Sequence, residues 1–270
     1  MALRYLHPDD NLIRDVVPTL PTGTQDAEYP VANLTDDDPA QPWKVTTTTF
    51  RLVWDLTNPT TVRYIAIVHH NLAAALAGVV FQMNATDSWG APSFSTTIVP
   101  PAYHEDDFPE NIGVDLTDDA PSFRYASLAV TSANAVACAI GELVIATSLR
   151  SLTRAIRPDL EDLENHPVKE NVTVADVSWI YQYGTRQRSF RGSVLESIAV
   201  ADQIRSWTRA TFDRSRPFVI VPDLTTPDEP WFVRFAPGSL VRQYFDANVH
   251  GFRMDFTEVS RGLKPTPSAV

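Results

Sequence analysis

Two neighbouring stretches with the periodicity of β-strands constrain this chain most. In FRLVWDL, residues 50–56, the large apolar residues Phe50, Leu52 and Trp54 alternate with other side chains, which predicts a strand with one buried face. VRYIAIV, residues 62–68, consists almost entirely of β-forming residues and predicts a strand buried on both faces. The TNPT sequence between the two stretches predicts a turn.

Similar short patterns continue as far as Ala146, with turn signals between them and almost no helical periodicity. They are VVFQM, FSTTIVP, FRYASLAV and IGELVIA. The 21 prolines against 10 glycines agree with many short elements and many connections. We therefore predict a mainly β fold whose first half is a β-sandwich.

The pattern changes after Ala146. Residues 148–170 are polar and predict a linker, and strand patterns return after it. A hairpin is predicted around Tyr183 and Gly184. One amphipathic helix is predicted, with four residues on one face: Val200, Ile204, Trp207 and Thr211. The predicted domains are a β-sandwich at 1–147, the linker at 148–170, a β-rich domain with one helix at 171–262 and a flexible tail at 263–270.

Charge and composition exclude several classes of function. Residues 1–150 contain 7 Lys and Arg against 18 Asp and Glu, so this half holds the whole net charge of −11 and is a poor nucleic-acid binder. No apolar run is long enough to insert into a membrane. Cys138, the only cysteine, excludes an internal disulfide and is predicted to be a small core residue. No nucleophile elbow, zinc-protease helix or glycine-rich phosphate loop occurs, so we expect no enzyme and no cofactor beyond an optional Ca²⁺.

Four segments of the first half, in order, resemble the galactose-binding-like, discoidin-type family. They are YPVANLTDDDPAQPWKV, FRLVWDLTNPTTVRYIAIVHHNL, FRYASLAVTS and IGELVIA. The resemblance implies a jelly-roll fold for the first half. Members of this superfamily bind glycans or calcium, and others bind neither, so it leaves the ligand open.

The second half resembles the distal-tail and baseplate proteins of long-tailed bacteriophages. The matching segments are RQRSFRGSVLE, SWTRATFDRSRPFVIVPD and PWFVRFA. The resemblance implies a virion structural protein of the tail tip or baseplate, assembled in the bacterial host cytoplasm as a homo-oligomeric ring. Tube and hub proteins would be its neighbours, and the jelly roll would face outward. The alternative is a carbohydrate-binding module protein that recognises a host-surface glycan, with or without calcium.

Aromatic and polar residues in or beside the predicted loops of the jelly roll are candidates for glycan binding. These are Trp43, His69, His70, Asn71, Trp89 and Tyr103. For Trp43 we favour the alternative that it packs beneath its loop as an apolar anchor. The two histidines are also compatible with ordinary core or surface positions.

Two charged groups complete the candidate sites. Asp36, Asp37 and Asp38 are a candidate Ca²⁺ site, since a hard cation prefers oxygen ligands, although their spacing is not that of an EF-hand. A solvated acidic turn is the alternative. Five arginines are candidates for a subunit interface, with a solvated face and local ion pairs as the alternative: Arg186, Arg188, Arg191, Arg205 and Arg209.

Overall fold

The structure, a computed structural model, describes residues 3–39, 41–72, 77–100, 111–133, 137–152, 161–165, 168–172, 178–182, 187–211, 216–221, 230–236, 241–244 and 249–259. In these ranges the chain is mainly β with one α-helix, α1 (Ile198–Thr211), and the predicted fold class is confirmed. The strands are β1 (Arg4–Tyr5), β2 (Thr19–Thr22), β3 (Trp43–Lys44), β4 (Thr49–Thr61), β5 (Tyr64–His70), β6 (Ala77–Asn84), β7 (Phe94–Ile98), β8 (Ile112–Asp115), β9 (Ser122–Ser132), β10 (Ala139–Ala146), β11 (Arg150–Ser151), β12 (Glu161–Asn165), β13 (Val168–Val172), β14 (Ser178–Gln182), β15 (Gln187–Ser197), β16 (Phe218–Val221), β17 (Trp231–Phe235), β18 (Val241–Tyr244) and β19 (Val249–Glu258).

Strands β2 to β10 form a jelly roll of two antiparallel sheets. One sheet has the order β3-β10-β5-β8, and the other has the order β2-β4-β9-β6-β7. From β3 to β10 the chain alternates between the sheets, apart from the β6–β7 hairpin, which is the double Greek-key connectivity of a jelly roll. The jelly roll predicted for the first half is therefore present.

The period-two pattern of β4 fixes which face of the five-stranded sheet is buried. Phe50, Leu52 and Trp54 are buried and contribute to the core between the two sheets, together with Phe81 of β6 and Leu128 of β9. The residues between them in sequence point to the outer face of the sheet. This alternation leaves the outer face available for polar side chains.

Strands of the second half, together with β1 from the N-terminal end, form an eight-stranded sheet with the order β11-β1-β16-β17-β19-β15-β12, and β18 pairs with β19. Helix α1 packs on one face of this sheet through the predicted stripe, in which Ile204 and Trp207 are fully buried. The Trp207 ring stacks on Tyr5 of β1 at a centroid distance of 4.0 Å and meets Phe218 of β16 edge-on at 5.0 Å. The prediction of an amphipathic helix at this position is confirmed.

The other face of the eight-stranded sheet packs on the four-stranded sheet of the jelly roll. We call this apolar layer the seam; it consists of Leu6, Tyr64, Ala66, Val68, Val144, Ala146, Val219, Val221, Phe232 and Val259. Because Ile65 and Ile67 lie in the jelly-roll core, β5 is buried on both faces, as its sequence predicts. The molecule therefore has four layers, in the order α1, eight-stranded sheet, four-stranded sheet and five-stranded sheet.

The predicted TNPT turn is wrong. Residues 57–60 lie inside β4, which continues to Thr61 with a register shift between Asp55 and Thr60 against β9. Thr57 has a positive φ of 68°, and its N–H donates to Asp55 Oδ1 at 2.8 Å. The segment forms a bulge because the Asp55 side chain satisfies the displaced backbone locally.

The predicted hairpin around residues 183 and 184 is also wrong. β14 pairs with β13 in a separate two-stranded sheet, whereas β15 pairs with β12 on one side and β19 on the other. Both edges of β15 are therefore occupied, which leaves no position for β14 beside it.

The segment predicted as a linker, residues 148–170, contains paired strands. β11 pairs with β1, and β12 pairs with β15, so both belong to the eight-stranded sheet. Since β1 comes from the N-terminal end, the chain contributes to that sheet before it builds the jelly roll. The division into domains at residues 147 and 171 stays a prediction, and the tail at 263–270 lies outside the described residues.

Candidate functional site

The turn containing the three consecutive aspartates is fixed between the jelly roll and the eight-stranded sheet. Asp37 adopts a left-handed backbone conformation with φ of 66°. Arg14 Nη2 donates to Asp37 Oδ2 at 2.9 Å, and Arg234 Nη2 of β17 donates to the Asp37 carbonyl oxygen at 3.3 Å. The turn thus makes structural contacts to both parts of the molecule.

The carboxylates of the turn already have protein partners. The Asp38 N–H donates to Asp36 Oδ1 at 2.9 Å, and Gln41 Nε2 donates to Asp38 Oδ2 at 3.3 Å. Burial raises the pKa of Asp36 and Asp37, and Arg14 opposes this effect at Asp37. Among the described residues, no group of three or more His, Cys, Asp or Glu side chains is arranged to hold a metal. Ca²⁺ binding at Asp36, Asp37 and Asp38 stays a prediction.

Four of the predicted ligand-binding residues lie near one end of the jelly roll. Trp43 is fully buried and meets Phe50 edge-on at 4.9 Å, so it is the anchor beneath the loop and offers no surface to a ligand. His70 is buried, and its Nδ1 accepts from the Leu72 N–H at 3.3 Å. The Asn71 amide donates to the Ala137 carbonyl at 2.8 Å and accepts from the Ala139 N–H at 2.7 Å.

His69 is half-buried and has a positive φ of 50°, and its backbone N–H donates to Asn111 Oδ1 at 3.0 Å. Trp89 lies elsewhere: the chain leaves β5 at the His70 end, enters β6, and reaches Trp89 only after crossing the sandwich. Trp89 is therefore at the opposite end of the jelly roll from the histidines. Tyr103 lies outside the described residues.

Trp89 belongs to a polar and aromatic cluster on the outer face of the five-stranded sheet. We call this cluster the platform and define it as Arg51, Gln82, Asp87, Trp89 and Ser127. Arg51 Nη1 donates to Gln82 Oε1 at 2.7 Å and to Ser127 Oγ at 2.8 Å. The Arg51 guanidinium carbon lies 5.3 Å from the centroid of the Trp89 ring, within cation–π range. Trp89 Nε1 donates to Asp87 Oδ1 at 2.8 Å, so both the ring and the guanidinium are held in place.

The electrostatics of the platform follow from this packing. Burial lowers the pKa of Arg51, and the charge of Asp87 acts in the opposite direction. The positions beside the platform on the same face carry both polar and apolar side chains: Ser95, Thr97 and Thr131 on the one hand, and Val53, Val80, Ala129 and Tyr125 on the other. The arrangement offers an apolar ring face, hydrogen-bond donors and a carboxylate within one open patch.

The sequence singled out Trp89 but missed the rest of the platform. Arg51 alternates with buried residues in a strand of clear period two, so the pattern predicts that its side chain lies on the outer face of the sheet. Its hydrogen-bond partners are 31 and 76 residues away along the chain, and only the strand order of the sheet brings them together.

A small cavity at the seam contains buried polar groups that the sequence did not indicate. It has a volume of about 30 Å³, enough for one or two water molecules, and His7, Arg14, Asp37 and Glu142 contribute to its lining. Glu142 is almost fully buried, and its Oε2 has no hydrogen-bond partner among the described residues. Burial, followed by the charges of Asp37 and Asp36, raises the pKa of Glu142 to about 10.

The predicted interface arginines are spread over the second half. Arg205 and Arg209 are exposed on α1, and Arg205 Nη1 donates to Asp202 Oδ1 at 3.1 Å within the helix. The ladder of β15 places Arg188 opposite Glu164, and Arg191 opposite Glu161. Arg186 lies outside the described residues.

The chain matches no family model and no curated protein. Solved structures of carbohydrate-binding modules are similar to about half of it. Chitosan-binding module 1 of a chitosanase/glucanase from Paenibacillus sp. IK-5 is 16% identical, with 50% of this chain and 97% of that chain covered and a TM-score of 0.36. The lectin domain of lectinolysin complexed with Lewis B antigen is 11% identical, with 51% and 96% covered and a TM-score of 0.39. A fucose-binding module of Streptococcus pneumoniae, SpX-3, is 10% identical, with 51% and 98% covered and a TM-score of 0.38. Similarity at this level does not show that this chain binds any of these ligands.

Within the part of the chain that the structure describes, no helix has both the length and the apolar character needed to cross a bilayer.

Proposed function

We propose that the jelly roll binds a carbohydrate without turnover, on the outer face of its five-stranded sheet. The observation that carries this proposal is the pairing of Trp89 with Arg51 on the outer face of the five-stranded sheet. A pyranose has an apolar face of C–H groups and an edge of hydroxyl groups. An indole can contact that face, while guanidinium, amide and carboxylate groups bind the hydroxyls.

The way in which the platform is held also supports binding. Arg51 is fixed by Gln82 and Ser127, and the Trp89 ring is fixed by Asp87. Side chains that are already ordered lose little conformational entropy when a ligand binds, so this entropy loss subtracts little from the binding free energy.

A glycan array, followed by calorimetry with the best ligand, tests the proposal. Trp89→Ala should weaken binding about tenfold or more, as expected for the loss of roughly 1.5 kcal/mol of aromatic contact. Tyr29→Ala is a matched control, because Lys44 Nζ lies 3.5 Å from the Tyr29 ring in an aromatic–cation pair at a separate place. The absence of any glycan ligand, or equal binding by Trp89→Ala and the unaltered protein, would contradict the proposal.

The wider setting inferred from the sequence, a ring-forming structural protein of a phage tail, is a second proposal. Its support in the structure is that Arg205 and Arg209 are exposed on α1, on the side of the eight-stranded sheet away from the jelly roll. Negative-stain electron microscopy over a concentration series tests it. Closed rings of uniform size would support ring assembly, and monomers at every concentration would oppose self-assembly of the isolated chain.

A further inference from the structure

The N-terminal segment crosses from the eight-stranded sheet to the jelly roll at His7. On one side, the Leu6 N–H donates to the Val219 carbonyl of β16 at 2.9 Å. On the other side, the Leu12 N–H donates to the Ile145 carbonyl of β10 at 2.8 Å. A short 3₁₀ turn, Pro8–Asp10, occupies the space between these two bonds. His7 is thus the side chain at the point where the two parts of the molecule are joined.

The imidazole of His7 is buried at this crossing. Its side chain is 2% exposed, and it contributes to the lining of the seam cavity. Nδ1 accepts from the Asp9 N–H at 3.3 Å, which in the neutral ring makes Nε2 the protonated nitrogen. Among the described residues, Nε2 makes no hydrogen bond of standard geometry, although the backbone carbonyl of Ser206 on α1 favours the protonated ring.

Charged and titratable groups face this region from each neighbouring element. They are Asp9 and Asp10 on the 3₁₀ turn, Arg150 of β11, Arg14 after the turn, Glu142 of β10 and Asp37 of the acidic turn. The Asp10 carboxylate is engaged by Arg150 through two hydrogen bonds of 2.8 and 2.9 Å. The Asp9 side chain is 76% exposed and therefore well screened by solvent.

We propose that His7 is an acid-sensitive latch: its neutral form holds the eight-stranded sheet on the jelly roll, and its protonation loosens that contact. A positive charge at this position would be buried beside the cavity, with Arg150 and Arg14 near it. The Asp9 carboxylate, whose Oδ2 lies 3.5 Å from His7 Nδ1, is mostly exposed and screened by solvent, and the Asp10 carboxylate already has a cationic partner. A buried charge whose nearest counter-charge is screened by solvent weakens the packing around it.

The direction of the pH effect follows from linkage. Burial, and then Arg150, lower the pKa of His7 below its usual value, while Asp9, Asp10 and the Ser206 carbonyl oppose them. Folding lowers the pKa of such a group, so the folded state favours the neutral ring more strongly than the unfolded state does. The resulting stabilisation is complete above the unfolded pKa, and it is lost as the pH falls from the unfolded pKa to the folded pKa. The seam should therefore loosen on the acidic side of neutrality.

Hydrogen exchange followed by mass spectrometry of the full chain tests the proposal at about pH 7.5 and about pH 5, on either side of the ordinary histidine pKa. Peptides containing the Leu6 and Leu12 amides report on the crossing, and peptides of β9 provide the internal reference. After correction for the intrinsic pH dependence of exchange, protection at the crossing should fall up to about tenfold for each pH unit between the unfolded pKa and the lower, folded pKa of His7. The β9 peptides should keep their protection.

Two variants isolate the histidine responsible. His7→Asn keeps an acceptor for the Asp9 N–H but cannot be protonated, so protection at its crossing should not depend on pH. His70→Asn is the matched control: His70 is equally buried and accepts from the Leu72 N–H at the same 3.3 Å, but it lies away from the crossing. This control should retain the pH dependence of the unaltered protein.

An equal loss of protection in His7→Asn and the unaltered protein would overturn the proposal, as would unchanged protection in the unaltered protein at low pH. If His7→Asn does not fold, the His7 ring can be titrated by NMR in the unaltered chain. A His7 pKa at or above the ordinary value would also overturn the latch.

Discussion

The carboxyl group of Glu142 gives the most quantitative prediction. Burial raises its pKa to about 10, compared with an ordinary value of 4.5. At neutral pH the folded protein therefore holds Glu142 neutral, whereas the unfolded chain ionises it. Folding is therefore accompanied by uptake of a proton from solution. This uptake lowers the free energy of unfolding by about 1.4 kcal/mol for each pH unit above the unfolded pKa. Near pH 7 this amounts to about 3 kcal/mol.

Glu142→Gln replaces the acid by an amide of nearly the same shape that stays neutral at every pH. We expect a free energy of unfolding higher by about 3 kcal/mol near pH 7, with a small difference near pH 5 and a larger one near pH 9. The sign follows from the raised pKa: the stability of the unaltered protein is highest below the unfolded pKa and falls as the pH rises toward the folded pKa.

Urea unfolding monitored by tryptophan fluorescence at several pH values measures this difference. Asp118→Asn, at an exposed acid in the turn after β8, makes the same acid-to-amide change without altering a buried group and is the matched control, which should not reproduce the pH-dependent gain of Glu142→Gln. A stability difference between Glu142→Gln and the unaltered protein that stayed constant with pH would refute the reasoning, because it would mean that Glu142 titrates normally in the folded state.

Three further predictions concern the cores and the thiol. Trp207→Ala should lower the free energy of unfolding by about 3–5 kcal/mol in urea titrations, since the fully buried ring anchors α1; a loss below about 1 kcal/mol would contradict this packing. Gly141→Ala should cost about 1–3 kcal/mol, because its Cβ would lie 2.8 Å from the Pro39 carbonyl oxygen, and an unchanged Tm would argue against that contact. The buried Cys138 thiol, whose pKa burial raises to about 11, should react with a disulfide reagent only on unfolding; rapid labelling of the native protein would oppose this.

Features encoded within one element could be predicted from the sequence. The alternation at Phe50, Leu52 and Trp54 gave the direction of β4, because a strand places successive side chains on opposite faces. The helical spacing that ends at Trp207 gave α1 and its buried stripe for the same kind of reason. In both cases the information lies within a dozen neighbouring residues.

Features that depend on distant pairing could not be predicted. The bulge at Thr57 was read as a turn, because its local sequence has the composition of one. β1 pairs with β11, almost 150 residues away, and with β16, more than 200 residues away. The periodicity of a strand's own sequence does not indicate which distant strands will pair with it. The platform depends on the same kind of pairing, which is why Trp89 was found without Arg51.

Burial of β5 and β10 on both faces has a consequence for how the two parts of the molecule act together. If the jelly roll swung away from the eight-stranded sheet, it would expose Tyr64, Phe232 and the other apolar side chains of the seam to water, which opposes such a hinge motion. The platform lies on the outermost sheet, on the far side from α1. A glycan held at the platform would thus be held in a fixed orientation to α1 and its exposed arginines. If α1 contacts neighbouring subunits, the platform points away from that assembly, which is the orientation that the proposed binding of an external carbohydrate requires.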